Sequence, residues 1–480
     1  MSPYRPISAI VLAAGDGTRM RSRTPKVLHT LCGKPMVLHV VDSLSALPLE
    51  RVIVVVGRGA DAVRSALAPQ LPDSMPVEFI EQTVPRGTGD AVTVALTAAH
   101  FDDPDREDDV IVLAGDQPLL LPETLAALAR AQRDEDAAAA ILTAELDDPT
   151  GLGRVVRDRD GHVARIVEDA DATPEELAIN EINTSIYCFK RNLLAPALRR
   201  ITSSNAQGEY YLTDAIEVLR GAGHRVVASV ASVATEALGV NDHAQLASAE
   251  AVLRERINLR WMREGVSIVD PASTYVDATV ELEADVRLLP GTMLEGRTRV
   301  GAGSVIGPYT RIVDSVVGCD VVIQSSVVRE AEVGDECLVG PFAHLRAGTR
   351  LGAGVHLGDF VETKNAELGE GAKANHLAYL GDVTIGAGSN IGAGTVFANY
   401  DGANKHHTTV GDRVFTGSNS TIVAPVKIGD DATTAAGAVV TGDVPPGALV
   451  RGVPARVARE QYVRPAKQSD PSVPPTSPDE

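Results

Sequence analysis

The fold turns on VGAGSVIGPYTRIVDSVVG, residues 300–318, where three aliphatic-glycine pairs (Val300-Gly301, Ile306-Gly307 and Val317-Gly318) recur close to a six-residue rhythm. The same pair returns at Val333-Gly334, Val339-Gly340, Leu351-Gly352, Leu357-Gly358, Leu368-Gly369, Leu380-Gly381, Ile385-Gly386, Ile391-Gly392, Val410-Gly411 and Ile428-Gly429. Most gaps are six, or within one residue of a multiple of six. This is the hexapeptide rhythm of a parallel β-helix, in which the aliphatic residue points inward and glycine permits the corner. The register slips at VFANYDGANKHHTT, residues 396–409, a polar segment rich in glycine and asparagine that reads as a protruding loop.

Working back from residue 265, the rhythm changes. From residue 7 to about 240, Val/Ile/Leu runs such as ISAIVLAAG, RVIVVVG, DVIVLAGD, AAAILTAEL, NTSIYCF and HRVVASV alternate with helical patterns such as GDAVTVALTAAH and PETLAALARAQRD. Continuous apolar runs joined by helical crossovers predict a mainly parallel α/β sheet covered on both faces. Ligands of such sheets bind beyond the carboxyl ends of the strands. Between the two rhythms, Leu246, Ala249, Leu253, Ile257 and Trp261 form one helical stripe. Asn241 or Asp242 can cap its start and Gly265 can end it.

The chain has 480 residues and a formal net charge of −20, with no long basic tract, which argues against a nucleic-acid binder. Its four cysteines (Cys32, Cys188, Cys319, Cys337) lie far apart and form no CxxC pair, so neither a disulfide framework nor a zinc site is expected. No signal-like segment or membrane-spanning run is read, and a cytoplasmic location is expected. The tail RPAKQSDPSVPPTSPDE reads as disordered.

Against that acidic background the cations of IVLAAGDGTRMRSRTPK, residues 10–26, stand out. A strand runs into a glycine turn followed by Arg19, Arg21, Arg23 and Lys26. Met20 stands where the dinucleotide fingerprint needs its third glycine, and the Walker Gly-Lys-Ser/Thr is absent. Backbone N–H groups in such a turn, with Arg19 and Lys26, suit a polyphosphate whose charge grows during transfer. The plainer reading is a solvated surface loop. Asp116, closing DVIVLAGD, reads either as a Mg²⁺ ligand completed by substrate phosphates or as a turn cap.

On the coils, polar residues break the aliphatic pattern. PFAHLRAGT carries His344 and Arg346, and DFVETKNA carries Glu362 and Lys364. KANHLAYLGD adds His376 and Tyr379, and SNIGAGTVFANYDGANK adds Asn390, Asn399, Tyr400 and Lys405. Any one of them could decorate a solvated face. Recurring near coil spacing, they supply what acyl transfer to an amine needs: a base, cationic anchors and donors to an oxyanion.

LAAGDGTRM and TPKVLHTLCGKPM resemble the sugar-nucleotide pyrophosphorylases. With PRGTGDAV, AGDQPLL, PTGLGRVVRD, RIVEDADAT, EINTSIYCF, NAQGEYYLTD, GVNDHAQL and the coils, nearly the whole chain resembles the bifunctional GlmU family, uridylyltransferases and glucosamine-1-phosphate acetyltransferases in one chain. The resemblance implies a Rossmann-like α/β nucleotidyltransferase domain at 1–242 and a linker helix at 243–264. A left-handed parallel β-helix with three hexads per coil would follow at 265–457, then a tail at 458–480. It also implies a homotrimer acting on small molecules, with Mg²⁺ as cofactor, acetyl-CoA and UTP as co-substrates, and no nucleic-acid partner or membrane insertion.

By motif, Ala13, Ala14, Gly15, Arg19 and Lys26 would contact UTP, and Gln82, Gly87 and Thr88 would read uracil. Asp116 and Asn241 would hold Mg²⁺, while Gly153, Glu168 and Asn183 would bind N-acetylglucosamine 1-phosphate. Arg346, Lys364, Tyr379, Asn390 and Lys405 would hold glucosamine 1-phosphate. His376 would be the base supported by Glu362, with Asn399 and Tyr400 beside the acetyl carbonyl. Ala393, Asn399, Tyr400, Ser418, Ala436 and Arg451 would contact acetyl-CoA, Arg451 from a neighbouring subunit. Pro85 and Arg86 stand where relatives commonly carry Gln and Leu, and VRGVPAR is one residue shorter than related tails. Where some relatives have a tail tryptophan, this chain has Tyr462. The alternative is a pyrophosphorylase whose β-helix only oligomerises.

Overall fold

A computed structural model describes residues 5–461 apart from 16, 58, 72–74 and 99–106. The chain divides into two compact units, Met1–Leu253 and Arg254–Glu480. The tail expected to be disordered from 458 begins differently, since Ala458 and Arg459 finish a strand, Ala455–Arg459, paired with Leu449–Gly452; the part beyond 461, Tyr462 included, lies outside the described residues.

In the first unit the apolar runs become β1 (Ile7–Ala13), β2 (Leu49–Val56), β3 (Val77–Glu81), β4 (Asp109–Ala114), β5 (Ala139–Glu145), β6 (Arg154–Arg157), β7 (Val163–Val167), β8 (Glu181–Lys190) and β9 (Val226–Val230). The sheet order is β9-β5-β8-β4-β1-β2-β3, with the β6–β7 hairpin attached beside β8. Along that order pairing is parallel except at β8, which runs antiparallel to β4 and β5; the β6–β7 hairpin is antiparallel within itself and to β8. Side chains alternate between faces, and both faces are buried. Ile10, Ile53, Val55, Val110 and Val112 pack into one core; Ala9, Val11, Val52, Val54, Ile111 and Leu113 pack into the other. Full burial of each valine, leucine or isoleucine among them stabilises by about 1.5–3 kcal/mol.

This sheet brings the carboxyl ends of β1 and β4 side by side. Leu12 is registered opposite Ala114, and Gly115 N–H donates to Leu12 O at 2.8 Å. The loop after Ala13 and the turn bearing Asp116 therefore leave the sheet as neighbours. A Cβ on Gly57, just after β2, would lie 2.4 Å from Ala14 O, so only glycine lets the loop settle there.

A helix spans His243–Arg263. Asp242 caps it, its Oδ1 accepting from Gln245 N–H at 2.8 Å. Gly265 (φ +99°) ends it, with Val266 N–H reaching back to Trp261 O. Ala249, Ile257 and Trp261 on the stripe are buried; Leu246 and Leu253 are partly so.

The second unit is a parallel β-helix of short strands, each paired with a strand one full coil further along the chain: Val322 faces Leu338, and Met293 faces Arg311. Leu294, Ile312, Val328, Leu345, Thr363 and Leu380 stack inward in successive coils, all fully buried. One coil is longer than the rest: Lys373 faces Asn390 at the ordinary step, but Asn390 faces Phe415, a wider one. The extra length is the segment between strands Val396–Ala398 and Thr408–Val410, so the expected loop begins and ends inside the ladder.

Most glycines of the repeat do a different job from the one expected. They seldom carry the positive φ of the corner; instead they leave room for the next coil. A Cβ on Gly369, Gly392 or Gly417 would come within 2.4–2.7 Å of the following coil's backbone. The left-handed corner residue is often a second glycine two positions on, such as Gly371 or Gly394, or an Asp or Asn such as Asp382 or Asn365, and in other coils a large apolar residue such as Phe342 or Phe360.

Candidate active sites

At the sheet's carboxyl ends the Lys26 ammonium pairs with the Asp116 carboxylate and lies 2.7 Å from Asn241 Oδ1. Arg19 donates to the same Asn241 oxygen at 2.8 Å. The two oxygens expected to hold a metal thus converge on one cation. Asp242 takes the capping role, which leaves the Asn241 side chain for this cluster, and the Asp116 carboxylate turns toward Lys26. Ala13 is buried at the end of β1, Ala14 is half-buried, and Gly15 is exposed with open space where a Cβ would be.

On the same unit, Gln82 follows β3 and is 6% exposed. Its Nε2 donates to Asp90 at 2.7 Å and weakly to Gly87 O at 3.4 Å. Gly87 (φ +108°) must be glycine, since a Cβ would strike Tyr210 O at 2.6 Å. Thr88 Oγ1 accepts from Leu212 N–H at 3.0 Å.

The three residues expected to bind the sugar phosphate, Gly153, Glu168 and Asn183, come together around β6 to β8. Asn183 N–H donates to Gly153 O at 2.8 Å, and a Cβ on Gly153 would meet Glu168 Oε2 at 3.3 Å. Burial pushes the Glu168 carboxyl above its ordinary value, opposed by the hydroxyl of Thr213, which donates to it at 3.1 Å.

On the β-helix, Glu362 is held by Arg346 at 2.7 Å and is registered opposite Tyr379. His376 ends strand Lys373–His376, and the residue registered opposite it is Asp359. The carboxylate beside His376 in the ladder is therefore Asp359, while Glu362 lies one corner further along the coil.

Asp382 joins much of this site. Its Oδ1 accepts from Asn365 Nδ2 at 2.8 Å and its Oδ2 from Asn399 Nδ2. Burial raises its carboxyl, but the Asn365 and Asn399 amides and the Lys364 and Lys405 ammoniums hold it below the usual range. The Lys364 ammonium beside Lys405 in turn holds Lys405 below the ordinary lysine value. The inserted loop is a small hairpin in which Tyr400 bridges Lys405 and His406 N–H donates to Asn399 O at 2.7 Å.

Ala393, Ser418 and Ala436 sit at one corner of three successive coils, linked by Asn419 N–H to Ala393 O and Gly437 N–H to Ser418 O. Asn390 lies in the ladder between Lys373 and Phe415. Arg451 is exposed on the closing hairpin, opposite Arg456.

Three carboxylates escaped the sequence reading: Asp90, Asp359 and Asp382. The last was findable, because Asn365, Asp382 and Asn399 recur at one constant interval, a single coil each time.

An α/β sheet with a cation-rich turn, followed by hexapeptide coils, defines a nucleotidyltransferase joined to a hexapeptide-repeat transferase. Residues 9–209 match the model of the MobA-like NTP transferase domain, and residues 407–442 match the bacterial transferase hexapeptide (six repeats). The chain is 48% identical to the bifunctional protein GlmU of Brevibacillus brevis, over 95% of this chain and 96% of that one. It is likewise 48% identical to the bifunctional protein GlmU of Streptomyces avermitilis, over 94% and 92% of the two chains, and 47% identical to that of Heliobacterium modesticaldum, over 92% and 94%. This chain belongs to the GlmU family.

Proposed function

We propose that the chain makes UDP-N-acetylglucosamine in two steps, acetylating glucosamine 1-phosphate from acetyl-CoA and then joining the product to UTP. The observation that carries the first-unit assignment is the convergence of Lys26, Arg19, Asp116 and Asn241 beyond the ends of β1 and β4.

In uridylyl transfer, a phosphate oxygen of N-acetylglucosamine 1-phosphate attacks the α-phosphorus of UTP in line. The bond to the bridging oxygen of the β-phosphate breaks, and pyrophosphate leaves. Arg19 and Lys26 neutralise charge on the polyphosphate. Gly153, Glu168 and Asn183 hold the sugar, and Gln82 with Gly87 and Thr88 holds the base. Asp116 and Asn241 offer hard oxygen donors that already hold a cation between them, which fits Mg²⁺. Bound there, the metal supplies charge neutralisation at the phosphates.

In acetyl transfer, His376 takes the proton of the sugar amine as its nitrogen attacks the thioester carbonyl. The C–S bond breaks and the thiolate of CoA leaves. Arg346, Lys364 and Lys405 clamp the sugar phosphate, with Tyr379 and Asn390 on the sugar. Asn399 and the Tyr400 N–H face the oxyanion, and Ala393, Ser418, Ala436 and Arg451 contact CoA.

The working form is a cytoplasmic homotrimer. Subunit packing is supported by an exposed apolar column of corner residues, Tyr309, Phe342, Phe360 and Leu377, in which Phe342 stacks on Phe360 at 5.4 Å. A reducing cytosol suits the free cysteines, and no helix among the described residues is long and apolar enough to cross a membrane.

Supplying purified protein with glucosamine 1-phosphate, acetyl-CoA, UTP and Mg²⁺ should yield UDP-N-acetylglucosamine by mass spectrometry. Omitting acetyl-CoA should abolish that product. Product formed only when N-acetylglucosamine 1-phosphate is supplied would reduce the chain to a pyrophosphorylase.

A further inference from the structure

We propose that Asp90 sets the base selectivity of the nucleotide site by fixing Gln82 as a hydrogen-bond acceptor. The inference rests on the reading that Gln82 meets the base. An amide side chain can present either its oxygen or its NH₂, and without a fixed partner it can turn to suit the ligand. Gln82 has a fixed partner. Its nearest contact is the Asp90 carboxylate at 2.7 Å, and an ionised carboxylate only accepts. The group turned toward Asp90 must therefore be Nε2. Gly87 O, an acceptor at 3.4 Å on the same nitrogen, points the same way.

Oε1 is left to face the ligand. The side chain is 6% exposed, so burial restricts its freedom to swing aside, and Oε1 makes no hydrogen bond with the described residues. Uracil places an N3–H donor at the centre of its pairing edge; cytosine, in the same pose, places a lone pair there. An acceptor locked opposite N3 welcomes the first and repels the second. A polar group left facing another of the same kind costs enough to shift selectivity about tenfold or more. A free Gln82 would rotate and accept both bases. Asp90 is a positioning residue, acting through Gln82.

The test is the ratio of kcat/KM for UTP to that for CTP, with N-acetylglucosamine 1-phosphate as acceptor, in the full chain. Asp90→Ala should lower the ratio about tenfold or more, chiefly through improved use of CTP. Asp90→Asn, which is isosteric and can turn either face to Gln82, should lower it by less, and it keeps the test usable if the alanine variant fails to fold. Gln82→Met checks the underlying reading. If it leaves the ratio at the wild-type value, Gln82 does not meet the base and both ideas fall. If Gln82→Met erodes the ratio while both folded Asp90 variants keep it, the base site stands and the role of Asp90 is overturned.

Discussion

Lys26 and Asp116 form an ion pair across the mouth of the sheet, and Asn241 Oδ1 shares the same ammonium at 2.7 Å. The oxygens proposed for magnesium thus hold a cation that the chain itself supplies. Lys26 cannot keep both contacts and also reach a nucleotide phosphate, so nucleotide and metal should bind with positive coupling. Mn²⁺ binding followed by EPR without nucleotide should be about tenfold tighter in Lys26→Met than in the wild type, with the gap narrowing when UTP is added. The same variant should lose about 10²-fold or more in uridylyl transfer. Equal Mn²⁺ affinities in the two nucleotide-free proteins would show that Lys26 does not occupy the metal position.

Glu168 gives the first unit a pH signature. Burial raises its carboxyl above the ordinary value of 4.5, so the folded chain keeps this proton to higher pH than the unfolded chain does. Between those two values the folded state binds more protons, and stability falls as pH rises. Glu168→Gln removes the ionisation. It should melt about 2 °C above the wild type at pH 7.5, with the gap closing toward pH 4. A gap independent of pH would assign the change to packing.

Asp382 is the hub of the second site, accepting from the amides of both Asn365 and Asn399. The carboxylate fixes which face of each amide is free, as Asp90 does for Gln82. Asp382→Asn should lower kcat for acetyl transfer by about tenfold or more while uridylyl transfer continues at the wild-type rate. Loss of both activities together would indicate misfolding, which a thermal melt would reveal.

The two glycine roles separate by substitution. A Cβ on Gly417 would come 2.4 Å from Ala436 N, whereas Gly354 (φ +63°) has open space around its Cβ position. Gly417→Ala should destabilise the coil by about 1–3 kcal/mol. Gly354→Asn, which suits a left-handed corner, should cost less than about 1 kcal/mol. Comparable shifts in chemical denaturation would mean that the coils yield locally to the added methyl.

The parallel ladder and the αβ alternation were legible because each rests on repetition: inward aliphatics on the hexapeptide rhythm, and apolar runs buried on both faces. Strand β3, VEFIE, was missed because it lies at the sheet edge and its glutamates break the run. The glycine of the repeat was found but misread, since sequence shows its place and not the neighbouring coil that crowds it. Among site residues, Lys26, Asp116 and Asn241 come from far-apart motifs that only the sheet unites. Asp359, Asp382 and Asp90 stayed hidden for a different reason. None forms a motif of its own: Asp90 and Asp382 act on amide side chains that only the fold brings to them, and Asp359 meets His376 only through the register of the coils.

The proposed two-step activity requires the β-helix itself to be catalytic. Thiol release from acetyl-CoA by the purified chain tests it most directly, with glucosamine 1-phosphate or glucosamine 6-phosphate as acceptor and His376→Ala beside the wild type. Release with the 1-phosphate alone, reduced about 10²-fold or more in the variant, is the predicted result. Folded wild-type protein that releases no thiol would leave the β-helix without this activity, and a His376→Ala variant that releases it at the wild-type rate would show that His376 is not the base.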